Sequence, residues 1–141
     1  MGVMMDTSKQ NILMCEKAVE IQASWKIADI DIIVYGSGEV DSVCVDCLGY
    51  DHWAEVRLTA IWLPRQDQLQ EMVIAFWKEQ DCINKYTVLV DEFYQFVFEK
   101  EIDYTMQFKS MEQLWLAFVM LTIYNKKWIE KDWIIQKVAK K

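Results

Sequence analysis

The residues best equipped for chemistry lie between positions 44 and 52. Cys44-Val45-Asp46-Cys47 sets two thiols three positions apart, and His52, the single histidine, follows five residues later. Thiols at that spacing beside an imidazole are raw material for zinc, which takes about four N or S ligands in a tetrahedral array. Cys82 is the remaining candidate for a fourth ligand. Against a metal, no second closely spaced cysteine pair occurs. The alternation around positions 40–48 also predicts a strand, on which Cys44 and Cys47 point to opposite faces. The expectation is two small, half-buried residues, with no metal and no cofactor; a Cys-dependent metal or redox protein is the third of three readings. A Cys–His nucleophile needs the two side chains within hydrogen-bond reach, and nothing places His52 beside a thiol, so it is expected to be a solvated turn residue.

Carboxylates pair at Asp29/Asp31, Asp91/Glu92 and Glu99/Glu101/Asp103. Acid–base catalysis by two carboxylates needs a shared cleft and separated pKa values, which these spacings do not indicate. Asp29 and Asp31 are expected on one solvated strand face. Gly36-Ser37-Gly38 lacks the Gly-Lys-Ser/Thr ending of a phosphate loop and reads as a hairpin turn. No catalytic constellation remains, and the chain reads as a non-enzyme.

Charge is the other strong signal. The 141 residues carry 22 Asp and Glu against 15 Lys and Arg, a net −7. Residues 1–125 hold 20 acids against 9 basic residues, whereas residues 126–141 hold 2 against 6. An acidic body disfavours direct nucleic-acid binding, which requires cations at the phosphates, and suits a basic protein surface. The densest acidic stretch is Asp29, Asp31, Glu39, Asp41, Asp46, Asp51 and Glu55, which forms the candidate partner-binding surface. Electrostatic steering would make such binding weaken with salt, and reversing Asp41 and Asp46 should weaken it without unfolding the chain. Four cysteines without an export signal at the N-terminus point to a cytoplasmic, reducing setting, and no segment reads as membrane-spanning.

The supporting elements follow from periodicity. Ser110 and Gln113 form a capping box ahead of a helix over 110–125 that is apolar nearly all round, hence covered on more than one side. Asn125 suits a left-handed terminus. Further helices are expected over 7–24, capped by Thr7 or Ser8, over 66–78, and over 88–100. Alternation predicts strands at 29–35, 40–48 and 55–62, joined as a meander. Tyr104–Phe108 reads as a loop or short strand, and Trp128–Ile134 as a hairpin or small helix. The fold class is α+β: an antiparallel sheet of about three or four strands with helices packed mainly on one face, in one globular domain over 1–141 with frayed ends at 1–5 and 137–141.

Two blocks, I-W-L-P-R-Q-D-Q-L-Q-E-M-V (Ile61–Val73) and F-K-S-M-E-Q-L-W-L-A-F-V-M (Phe108–Met120), resemble small uncharacterised proteins encoded by phages and prophages of Gram-positive bacteria. With a looser echo in the Trp128…Trp133 pair, the likeness covers about a quarter of the chain, and it carries no catalytic or binding residues. It implies a mobile-element setting, in which small acidic proteins include anti-CRISPR and anti-restriction inhibitors. The leading expectation is therefore a non-enzymatic interaction protein, an acidic inhibitor of a host defence system whose partner is a host nucleic-acid-binding component. The second is a small-molecule or signal-nucleotide binding module with an aromatic pocket among Trp53, Trp62, Trp115 and Trp128.

Overall fold

The computed structural model describes residues 5–78 and 84–137. Cys82 and most of the ends expected to fray lie outside them. The expected α+β class holds: among the described residues, helices combine with a three-stranded and a two-stranded antiparallel sheet. The chain gathers into two compact units, residues 1–65 and 66–141.

The N-terminal unit opens with two helices where the periodicity predicts one. Ser8 caps α1 (Lys9–Lys17), its hydroxyl accepting from the Asn11 amide at 3.2 Å. At Ala18 the backbone leaves helical values (φ −81°, ψ 70°) before α2 (Val19–Ser24) begins. The break rotates the buried face. Met14, Cys15, Ala18 and Ile21 enter the core, while Val19 is exposed. Gln22 then fastens α2 to the sheet: its amide donates to the Trp62 carbonyl at 2.8 Å and accepts from the Trp62 amide at 2.9 Å.

The sheet is shorter than alternation predicts, and its order is β2-β1-β3, with β1 (Ile32–Val34) between β2 (Val40–Ser42) and β3 (Ile61–Leu63). Gly36–Gly38 does form the hairpin turn, with Gly38 at φ 90° where a side chain would be strained. The predicted strand over 40–48 ends at Ser42, and residues Val45–Val56 form helix α3. Most of the predicted strand over 55–62 is likewise the end of α3 and a turn, which leaves Leu58 82% exposed rather than facing inward. The alternation of Val43 and Val45 imitates a strand, but a tertiary contact decides the outcome. Trp53 is buried, and its indole N–H donates to the Cys44 carbonyl at 2.9 Å, folding the segment back on itself.

In the C-terminal unit, α4 (Gln66–Phe76) and α5 (Lys85–Gln95) occupy the expected helical stretches, and α5 continues as a π-helical turn over Phe96–Lys100. The stretch expected to be loop or strand over 104–108 begins inside α6 (Ile102–Thr105) and continues as turn and loop over 106–108. The central helix α7 (Met111–Tyr124) has the predicted ends: the Ser110 hydroxyl accepts from the Gln113 amide at 3.2 Å, and Asn125 is left-handed at φ 55°. Leu116, Val119 and Met120 are buried on one side, and Trp115 and Phe118 on the other. Phe93 stacks on Trp115 with ring centroids 3.7 Å apart. The tail resolves as a hairpin of β4 (Lys126–Ile129) and β5 (Asp132–Ile135), with Trp128 opposite Trp133. No helix among the described residues is long and apolar enough to cross a membrane.

Candidate functional site

The seven acids singled out from the sequence divide into a surface group and one buried member. Asp29, Glu39, Asp41, Asp46, Asp51 and Glu55 are exposed. Asp31, expected on a solvated face, is fully buried. Its carboxylate accepts from the Trp25 indole and the Ala28 amide, both at 2.9 Å, and lies 3.4 Å from the Arg65 guanidinium. A buried carboxylate persists as an ion only when it is paired and hydrogen-bonded, so Asp31 belongs to the framework and is withdrawn from the partner surface.

Among the exposed acids, two have structural duties as well. Asp29 accepts from the Val45 amide at 2.7 Å, and Asp41 accepts from the Tyr35 hydroxyl at 2.8 Å. That bond, with the negative charges of Asp41 and Glu39, holds the Tyr35 phenol above its ordinary pKa. Asp51 and Glu55 stand one helical turn apart on α3, and both are exposed. Exposed apolar side chains are interleaved with the acids: Val40, Leu48 and Tyr50.

Within this surface, Cys44 and Cys47 are joined as a disulfide with Cα atoms 5.3 Å apart. The expectation of opposite faces fails because Cys47 sits in the first turn of α3, where i and i+3 meet. Gly49, at φ 81° and ψ 161°, separates that turn from the rest of α3. His52, expected in a turn, lies on α3 instead; it is exposed, with its ring edge-on to Trp53 at 4.9 Å. Among the described residues no group of three His, Cys, Asp or Glu side chains could hold a metal ion. Of the other carboxylate clusters, Asp91 accepts from Gln95 at 2.9 Å, Glu101 pairs with Lys127 at 2.6 Å, and Glu99 and Asp103 are exposed.

The four tryptophans considered for a ligand pocket are all buried, Trp53 and Trp62 in the N-terminal unit and Trp115 and Trp128 in the C-terminal one. A cavity of about 160 Å³ in the C-terminal unit is lined instead by Glu92, Lys100, Glu101, Phe96 and Phe118, among others. It falls below the roughly 300–1,000 Å³ of ligand pockets.

The acid-rich surface was legible from composition. The disulfide was signalled only by its spacing, and Asp31's pairing with Arg65 not at all. No protein-family model, curated protein or solved structure matches this chain.

Proposed function

We propose that this chain is a non-enzymatic interaction protein whose acidic N-terminal surface engages a basic surface on a nucleic-acid-binding host protein, acting in the cytoplasm as an inhibitor of a nucleic-acid-targeting defence system. One observation carries the reading. Between Lys26 and Arg57 the chain has seven acids and no Lys or Arg, and six of those acids are exposed, as are the apolar side chains Val40, Leu48 and Tyr50 of the same stretch. Apolar and tyrosine anchors inside a charged rim are the usual anatomy of a protein interface. A rim of one sign selects a partner of the other and speeds encounter. Carboxylates in such a place compete with phosphates for the same arginines and lysines. The resemblance of Ile61–Val73 and Phe108–Met120 to phage-encoded proteins supplies the setting.

Asp51→Lys with Glu55→Lys tests the reading more cleanly than reversal of Asp41, which is tied to Tyr35. Bacteria carrying an active CRISPR or restriction system are challenged with phage while expressing either form. The native chain should raise plaque counts severalfold over bacteria that lack it. The double variant should not raise them, although its circular dichroism and melting temperature stay native. Equal plaque counts from the two folded forms would exclude this surface.

A further inference from the structure

We propose that Cys44 and Cys47 form a reversible dithiol–disulfide centre, reduced by a partner dithiol that attacks at Cys47. The inference does not depend on the inhibitor reading.

The two sulfurs are held differently. Cys44 is half-buried, and its backbone is fixed on both sides. The Ile30 amide donates to the Val43 carbonyl at 2.9 Å, Asp29 accepts from the Val45 amide at 2.7 Å, and the Trp53 indole donates to the Cys44 carbonyl at 2.9 Å. Cys47 is exposed, on a turn that ends at Gly49, where an added Cβ would meet nothing within 4 Å. An incoming thiolate therefore reaches Cys47 and finds Cys44 positioned as the leaving group. The segment that holds Cys44 also contains an exposed β-branched residue, Ile30, at φ 65°. Such backbone is costly and collects where the surrounding structure imposes a geometry.

The exchange balances. A thiolate of the partner bonds to Cys47 Sγ, the Cys44–Cys47 bond breaks, and Cys44 leaves as a thiolate that takes a proton. The partner's second thiolate then attacks its own sulfur in the mixed disulfide and releases Cys47, which is protonated in turn. The partner loses two electrons and becomes a disulfide, and the pair gains two electrons and becomes two thiols. Asp29 and Asp46 put negative charge beside the pair, which repels anionic thiols such as glutathione. A neutral or cationic dithiol is the favoured partner.

The full chain carrying Cys82→Ser is equilibrated in mixtures of reduced and oxidised dithiothreitol, quenched with iodoacetamide and weighed. The expected result is a reversible transition of two alkylated cysteines under native conditions, with the near-ultraviolet spectrum retained. In the same background, Cys44→Ser should capture 2-hydroxyethyl disulfide at least about tenfold faster through Cys47 than Cys47→Ser does through Cys44, as exposure dictates. Glutathione disulfide should react more slowly than the neutral reagent, and the gap should narrow as salt screens the carboxylates. A pair that remains two thiols in every mixture, or that is reduced only in denaturant, overturns the centre. Equal capture by the two single variants overturns attack at Cys47.

Discussion

Asp29 and Asp31 are two residues apart and identical in type, yet one lies in solvent and the other is sealed beneath it. The difference arises from three groups that converge on Asp31: the Trp25 indole, the Ala28 amide and Arg65. Ala28 and Trp25 lie three and six residues before it, but Arg65 lies 34 residues away, and it is this distant partner that the sequence does not disclose. Asp31→Ala should cost about 2–4 kcal/mol, because it leaves the Trp25 indole and the Ala28 amide without their acceptor and takes a charge partner from the half-buried Arg65; Asp29→Ala should cost under about 1 kcal/mol, as expected at an exposed position. Urea denaturation of the two variants measures the contrast. Ile30, between them, predicts an opposite sign. Ile30→Asn places a residue that tolerates left-handed backbone at φ 65° and gives up little burial, so it should raise stability by about 1 kcal/mol. Tyr104 makes the pH prediction. Burial pushes its phenol well above the usual range, against the lowering effect of the Trp128 amide that donates to its oxygen at 2.6 Å. Above the ordinary value of 10, the unfolded chain releases this proton and the native chain keeps it. Stability contributed by Tyr104 is therefore full below pH 10 and falls as pH rises beyond it. Tyr104→Phe should be less stable at neutral pH, by about 1–3 kcal/mol for the stranded Trp128 amide, with a flatter alkaline branch.

At the scale of elements, what the sequence discloses depends on whether the deciding contacts are local. Helix α7 is readable at both ends because its caps lie within one turn: Ser110 to Gln113, and Asn125 in left-handed backbone. The Asn125 side-chain amide also donates to the Gln136 carbonyl at 2.7 Å, and the Asn125 backbone carbonyl accepts from the Gln136 backbone amide. That joins the end of α7 to the β4–β5 hairpin. Asn125→Ala should lose about 1–2 kcal/mol in left-handed strain and the side-chain bond as well, while Asn125→Gly should recover only the backbone part. Thermal melts of the three proteins separate the two contributions. Helix α3 is hidden from the sequence for the converse reason. Its apolar residues alternate at the start, and its helical state rests on Trp53 reaching back to the Cys44 carbonyl. The candidate surface inherits the same limits: its charge was readable from composition, whereas its presentation on a helix was not.

Across the whole molecule the two units differ in charge. Residues 1–65 hold ten acids against five basic residues, and residues 66–141 hold twelve against ten. The imbalance of the first unit is concentrated in a segment without a single Lys or Arg between Lys26 and Arg57. Like charges crowded on one surface repel one another and weaken the fold that carries them, so the acidic face exists at some cost to stability. Salt then acts with opposite signs on folding and on binding. Shrinking the Debye length from about 30 Å to about 8 Å screens the self-repulsion and should raise the melting temperature by about 2 °C, a few tenths of a kcal/mol. The same change should slow association with a basic partner. Neutralising the face with Asp51→Asn and Glu55→Gln should reproduce the first effect at low salt and reduce its further dependence on salt. Melting curves of the native and neutralised chains at two ionic strengths provide the check: if the native chain melts lower in high salt, attraction outweighs repulsion on this surface, and the carboxylates are already paired within the protein.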